Sequence, residues 1–323
     1  MNMIKAETEI MRRILAVIAV ALGIALTGLA ETVENVRGQQ RENSKLVDIY
    51  YDLNDTDGGT YYVEVEIVGR TSDVNASSFS GDVGEGVVPG QNRRIVWDAG
   101  ADWPGNKDDV KAVVTAIKGG KPNKVQLWEG GPYWADRNIG ADNPWDYGLY
   151  FWWGDTVGYR PSGTTSDIFF ANRESTRNKS IDNLECEGWI VSRNGTYVLA
   201  SKHDAAQVHW GGGWRMPTDQ ELCDLYSKCD WSRTTMNGVN GIIARGRGKY
   251  ASRSIFFPFA SICMGAWPRA LGSEGYYFSS VPDADIYDAF ALVFYSTGGS
   301  PSAHNQCNRN YGHSIRPVNG TSK

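Results

Sequence analysis

The sequence predicts an α+β protein in two parts: a small all-β sandwich over residues 40–118, then a loop-rich domain of short strands with a helix. Three observations carry this. Apolar and polar residues alternate in Leu46–Leu53 and Tyr61–Val68, the period of half-buried strands. The 323 residues include 37 Gly and 12 Trp, which points to many turns pinned by large aromatic anchors. One helix signal stands out: Thr218 precedes Glu221 by three residues, a capping box ahead of Leu222, Leu225 and Tyr226 on one face.

The first 30 residues read as a signal peptide. Arg12 and Arg13 give a positive start, Ile14–Leu26 an apolar core, and Gly28-Leu29-Ala30 a cleavage site after Ala30. Met11 suits that peptide as its start, because Glu7 and Glu9 lie ahead of it. The apolar run is short for a membrane span and no other segment is apolar enough. The expectation is a secreted or cell-surface protein with no membrane span after cleavage.

Glu31–Glu42 reads as a polar leader. In the first strand Val47, Ile49, Tyr51 and Leu53 share a face; in the second Tyr61, Val63, Val65 and Ile67 do. Asn54–Gly59 between them reads as a hairpin turn, its acidic residues not spaced as a calcium loop requires. Arg94–Trp97 and Val110–Ile117 complete an immunoglobulin- or fibronectin-like sandwich, and Gly119-Gly120-Lys121-Pro122 is a linker.

Beyond it, Val125–Trp128 reads as a strand and Tyr147–Gly154 as a dense aromatic run. Residues 156–205 read as a long loop anchored by Trp189 and Ile190. The capped helix extends to Lys228. Val239–Ala244 and Ile255–Ala260 read as strands around a solvated basic turn at 245–249. The last strands are expected at Tyr276–Ser280, Phe290–Tyr295 and Ser314–Val318. Between the last two, Ser296–Asn310 is small and polar without apolar periodicity, so it reads as a loop held on a rigid scaffold.

The 32 basic and 37 acidic residues leave a net charge of −5, which argues against a nucleic-acid partner. The five Cys lack a CxxC, and the four His do not cluster along the chain. The spacing of His203 and His209 does not mark a metal site. No cofactor or metal is expected.

The segments WADRNIGA, YGLYFWWGD, HWGGGWRMPTDQEL, CDW, NGVNG, IFFPFA, GYYFSS and SIRPV follow one another over residues 124–319. In that order they resemble the exported bacterial domains named after the major paralogous family of Fibrobacter succinogenes. The resemblance implies a C-type lectin fold of the kind shared with formylglycine-generating enzymes: a twisted antiparallel sheet, one or two helices and long ordered loops. It does not by itself imply chemistry. Formylglycine-generating activity needs a close Cys pair near the C-terminus, where this chain has Cys307 alone; related non-haem iron enzymes need a His set that is not visible. Calcium-dependent lectins of this fold carry motifs that Val281-Pro282-Asp283 echoes only in part. A calcium-independent sugar platform of Tyr276, Tyr287 or Trp267 is an alternative.

Some proteins of this fold are variable targets of diversity-generating retroelements, which mutate adenines in a C-terminal repeat. Asn codons altered in that way cannot yield Gln, Glu, Lys, Met or Trp. Tyr295–His313 contains none of these but Gln306. Phe294, Pro301, Arg309, Gly312, Ser314 and Arg316 would be fixed supports. The sequence therefore predicts a non-catalytic ligand-binding protein whose surface carries Tyr295, Ser302, His304, Asn305, Cys307, Asn308, Asn310, Tyr311 and His313. Their hydroxyl, amide and aromatic groups are adaptable contacts. The partner would be a protein or glycan on another cell or surface.

Overall fold

The computed structural model describes residues 32–55, 58–70, 74–105, 109–161, 173–264, 267–298 and 301–320. The expected signal peptide, and Thr56 and Asp57 of the acidic turn, lie outside these residues. Strand dominates, in several small antiparallel sheets, with four short α-helices among the described residues. The chain divides into two compact units between Lys121 and Pro122.

The first unit contains β1 (Thr32–Gln40), β2 (Leu46–Asn54), β3 (Tyr61–Gly69), β4 (Phe79–Gly81), β5 (Gly84–Val87), β6 (Gly90–Asp98), a single helical turn α1 (Ala99–Asp102) and β7 (Val110–Lys118). One sheet runs β1-β2-β6-β4 and the other β5-β3-β7. The alternating faces of β2 and β3 are the buried ones. Ile49, Tyr51, Leu53, Tyr61, Val63, Val65 and Ile67 join Ile95 and Trp97 in one core fed by both sheets. Burying such a side chain stabilises by about 1.5–3 kcal/mol.

The polar leader is a correction: Thr32–Gln40 is the edge strand β1, paired along β2. Asn35, at φ 52°, sits where the register shifts between Glu34 and Arg37. That bulge interrupts the alternation by which a strand is recognised. Only Val33 and Val36 of β1 pack on the core.

The second unit begins with β8 (Lys124–Gln126) and β9 (Tyr133–Ala135). It continues through α2 (Ile181–Cys186), β10 (Ile190–Arg193), β11 (Thr196–Leu199), α3 (Ala205–Trp210), β12 (Trp214–Arg215) and α4 (Asp219–Lys228). There follow β13 (Asp230–Met236), β14 (Val239–Arg245), β15 (Ser254–Pro258), β16 (Glu274–Pro282), β17 (Asp288–Tyr295), β18 (Ser302–Asn308) and β19 (Val318–Asn319). Three sheets, β12-β19-β9-β8, β13-β14-β15 and β16-β17-β18, accompany the β10-β11 hairpin. Leu222 and Leu225 of α4 share a core with Trp134, Phe257, Tyr277, Leu292 and Phe294.

Several expectations are corrected here. The described part of 156–205 is not one loop, since it forms α2, the β10-β11 hairpin and the start of α3. Its anchor residues do pack inward: Ile190 is buried, and the Trp189 ring lies 3.9 Å from that of His203. Tyr226, expected on the buried face of α4, is exposed. The polar run at Ser296–Asn310 contains the strand β18, paired with β17 from Asp288↔Asn308 to Val293↔Ser302. Backbone pairing needs no apolar side chains, so the missing periodicity hid it. Conversely, Ser314–Val318 is strand only at Val318, and the chain before it joins its neighbours by the isolated bridges Phe151↔His313, Cys263↔Gly312 and Tyr277↔Ser314.

Candidate functional site

The site is built on the edge strand β18 and the end of β17. Along β18 exposure alternates: Ser302, His304 and Gln306 point outward, while Ala303, Asn305 and Cys307 are at least half-buried. Tyr295, the last residue of β17, is 49% exposed and leans on Tyr276, with ring centroids 6.3 Å apart. The guanidinium of Arg233 donates to the Tyr295 carbonyl at 2.9 Å and to that of Gly298 at 2.9 Å, which fixes the loop leaving β17. Asn305 Nδ2 donates to the Ser302 carbonyl at 2.5 Å.

His304 is the most constrained of these. Its φ is 61°, a region that residues other than glycine seldom adopt. It lies where β18 spends three residue steps, Ser302 to Asn305, against two on β17, Ala291 to Val293. The ring stacks on Phe290, centroids 4.1 Å apart and planes at 15°. Its Nδ1 is 2.6 Å from Asp219 Oδ2, so the strand is tied to the first turn of α4.

That helix is firmly started. The Thr218 hydroxyl accepts from Glu221 N at 3.2 Å, and Glu221 Oε2 accepts from Thr218 N at 2.9 Å. Arg215 clamps the same carboxylate at 2.6 and 2.7 Å. Asp204, buried beneath, accepts from the main-chain N–H of Met216, Ala206 and Gln207. Burial pushes its carboxyl up to about 6 against those hydrogen bonds.

Behind the exposed strand lies a buried support. Arg309 is fully buried, and its guanidinium donates to the carbonyls of Asp288, Thr176, Lys179, Asp283 and Asp285 at 2.7–3.1 Å. Arg316, also buried, donates to Asn138 Oδ1 and to the carbonyls of Ala135 and Phe256. Each cation is dispersed over main-chain dipoles, which fixes several chain segments from one point. Burial lowers both guanidinium groups to about 10, so they stay charged at neutral pH.

Three of the nine expected surface residues belong to this support, which corrects their assignment. Cys307 is buried beside Ala289, and burial pushes its thiol up to about 12. Asn310 is buried and donates to Glu174 Oε1 at 2.9 Å. His313 is fully enclosed, its ring 3.9 Å from that of Phe278, and burial holds it neutral by lowering it to about 3. Tyr295, Ser302 and His304 are exposed, and Asn305, Asn308 and Tyr311 are half-buried. The expected supports Pro301, Arg309 and Gly312 are all buried.

Sequence reasoning missed Gln306, which is exposed and hydrogen-bonds to Asp283, and Asp219 and Cys223 on the adjoining helix. The four-residue spacing of Asp219 and Cys223 was the one available signal.

A second concavity, a cleft of about 330 Å³, is lined by Trp145, Tyr147, Trp267, Asp142, Asp146 and Arg160 among others. Trp267 is 59% exposed. Of the other two residues of the expected sugar platform, Tyr276 leans on Tyr295, and Tyr287 lies under the Arg177 guanidinium, 5.6 Å away. Among the described residues no helix is long and apolar enough to cross a membrane. Comparison of the chain with protein-family models, with curated proteins and with solved structures finds no match.

Proposed function

We propose that the chain is an exported bacterial, non-catalytic recognition protein that presents a ligand-binding surface on a C-type lectin fold. The proposal includes membership of the Fibrobacter-type domain family and diversification of the Tyr295–His313 segment by a retroelement. One observation carries the reading: exposed polar and aromatic side chains stand on an ordered edge strand over a support fixed by buried arginines. Such an arrangement lets Tyr295 and Ser302 vary without disturbing the core, because neither is buried. Rigid display lowers the ordering cost of binding, and the exposed aromatic ring of Tyr295 supplies an anchor. The ligand is a protein or glycan on another cell or surface.

The calcium-independent lectin is the second reading. The cleft beside Trp267 favours it, because aromatic faces flanked by carboxylates and a guanidinium suit a sugar ring and its hydroxyls. A glycan panel separates the two readings. Sugar binding that is lost in Trp267→Ala and kept in Tyr295→Ala assigns the cleft; binding lost only in Tyr295→Ala and His304→Ala assigns β18. Retroelement diversification has its own test in the neighbouring DNA. A near-copy of the coding repeat that differs at adenines, beside a reverse transcriptase, supports it, and absence of both removes it.

A further inference from the structure

We propose that Asp219, Cys223 and His304 form a binding site for one zinc(II) ion. The site goes beyond the recognition reading and does not rest on it. One carboxylate oxygen, one sulfur and one imidazole nitrogen of the three residues lie within 4.8 Å of one another. That spread suits donors gathered around a single ion with small side-chain adjustments.

Each residue is delivered there by a separate structural cause. Asp219 and Cys223 are one turn apart on α4 and share a face. β18 packs against that helix. His304 reaches the pair because the irregularity in β18 turns it, and the Phe290 stack and the Asp219 bond hold it in its left-handed conformation. Backbone held in a sparsely populated region is found preferentially at ligand clamps.

The same place holds an unsatisfied acceptor. The second carboxylate oxygen, Asp219 Oδ1, is buried without a hydrogen-bond partner. Leaving a carboxylate oxygen unsatisfied costs free energy that a bound cation would recover.

The donor set selects the ion. Sulfur, nitrogen and oxygen donors together suit zinc, whereas calcium and magnesium take oxygen ligands. Three protein ligands would leave a fourth position on the exposed side of His304. Zinc bound here would clip the display strand to the helix.

The test uses the purified chain stripped of metal and titrated with cobalt(II), a coloured substitute for zinc. The expected result is a thiolate-to-cobalt charge-transfer band that saturates at one ion per chain, is abolished by zinc, and accompanies a rise in Tm with zinc. Cys223→Ser should remove the band. Asp219→Asn and His304→Gln should weaken zinc binding on the order of tenfold or more. Cys186→Ser should change nothing. The metal-free Tm of His304→Gln is measured first, so that loss of the Phe290 stack and the Asp219 bond is read separately from loss of zinc binding. Absence of the band, its loss in Cys186→Ser, or equal zinc affinity in wild type and His304→Gln would overturn the site.

Discussion

Arg309 and Trp153 are joined twice: the Arg309 guanidinium lies 5.2 Å from the centre of the Trp153 indole, and the Arg309 carbonyl accepts from Trp153 N at 2.8 Å. This pairing links the aromatic run at 147–154 to the chain that directly follows β18. Arg309→Met should therefore leave at least five carbonyls short of a donor. Chemical denaturation is expected to show a loss of about 3 kcal/mol or more. Hydrogen exchange should rise in β18 and in residues 283–288, and a variant as stable as wild type would show that the guanidinium bonds do not hold this region.

Thr218→Ala removes half of the capping box and leaves Arg215 on Glu221. A loss of about 1 kcal/mol is expected, read as a fall in Tm.

Acid sensitivity has a definite sign at His313. Its folded value, about 3, lies below the ordinary 6.5 because burial disfavours the charged ring. Its contribution to stability is therefore full above pH 6.5 and is lost as the pH falls towards 3. His203 and His209, each lowered to about 4 by burial, act in the same direction. Asp155 and Asp204, raised to about 6 by burial, act oppositely: their contribution is full below the ordinary 3.8 and is lost as the pH rises through 6. Between pH 6.5 and 4, the stability of wild type relative to His313→Gln should fall by about 1.4 kcal/mol per pH unit. Denaturation curves at several pH values check this, and a constant difference would mean that His313 is protonated in the fold.

The sequence was most readable where a side-chain pattern and a backbone element coincide. Val63, Val65 and Ile67 alternate because one face of β3 is buried, and Thr218 with Glu221 marks a helix start because both side chains cap it. β18 escaped because the residues it turns inward are Ala303, Asn305 and Cys307, no more apolar as a set than a loop would be. Cys307, Asn310 and His313 misled for a related reason: they are polar yet enclosed, Cys307 and His313 by main-chain pairing and Asn310 by its bond to Glu174, and neither leaves a mark on composition. The contact of His304 with Asp219 spans 85 positions, beyond the reach of any spacing argument.

On the proposed function, the outer face of β18 and Tyr295 recognise the ligand while the residues behind them only support it. The most direct measurement pairs ligand affinity with Tm for a variant carrying Tyr295→Ala, Ser302→Ala and Gln306→Ala, using the ligand found on protein and glycan panels. Binding should be lost with stability changed by only about 0.5 kcal/mol per site, as for exposed residues. Undiminished binding by the folded variant would contradict it.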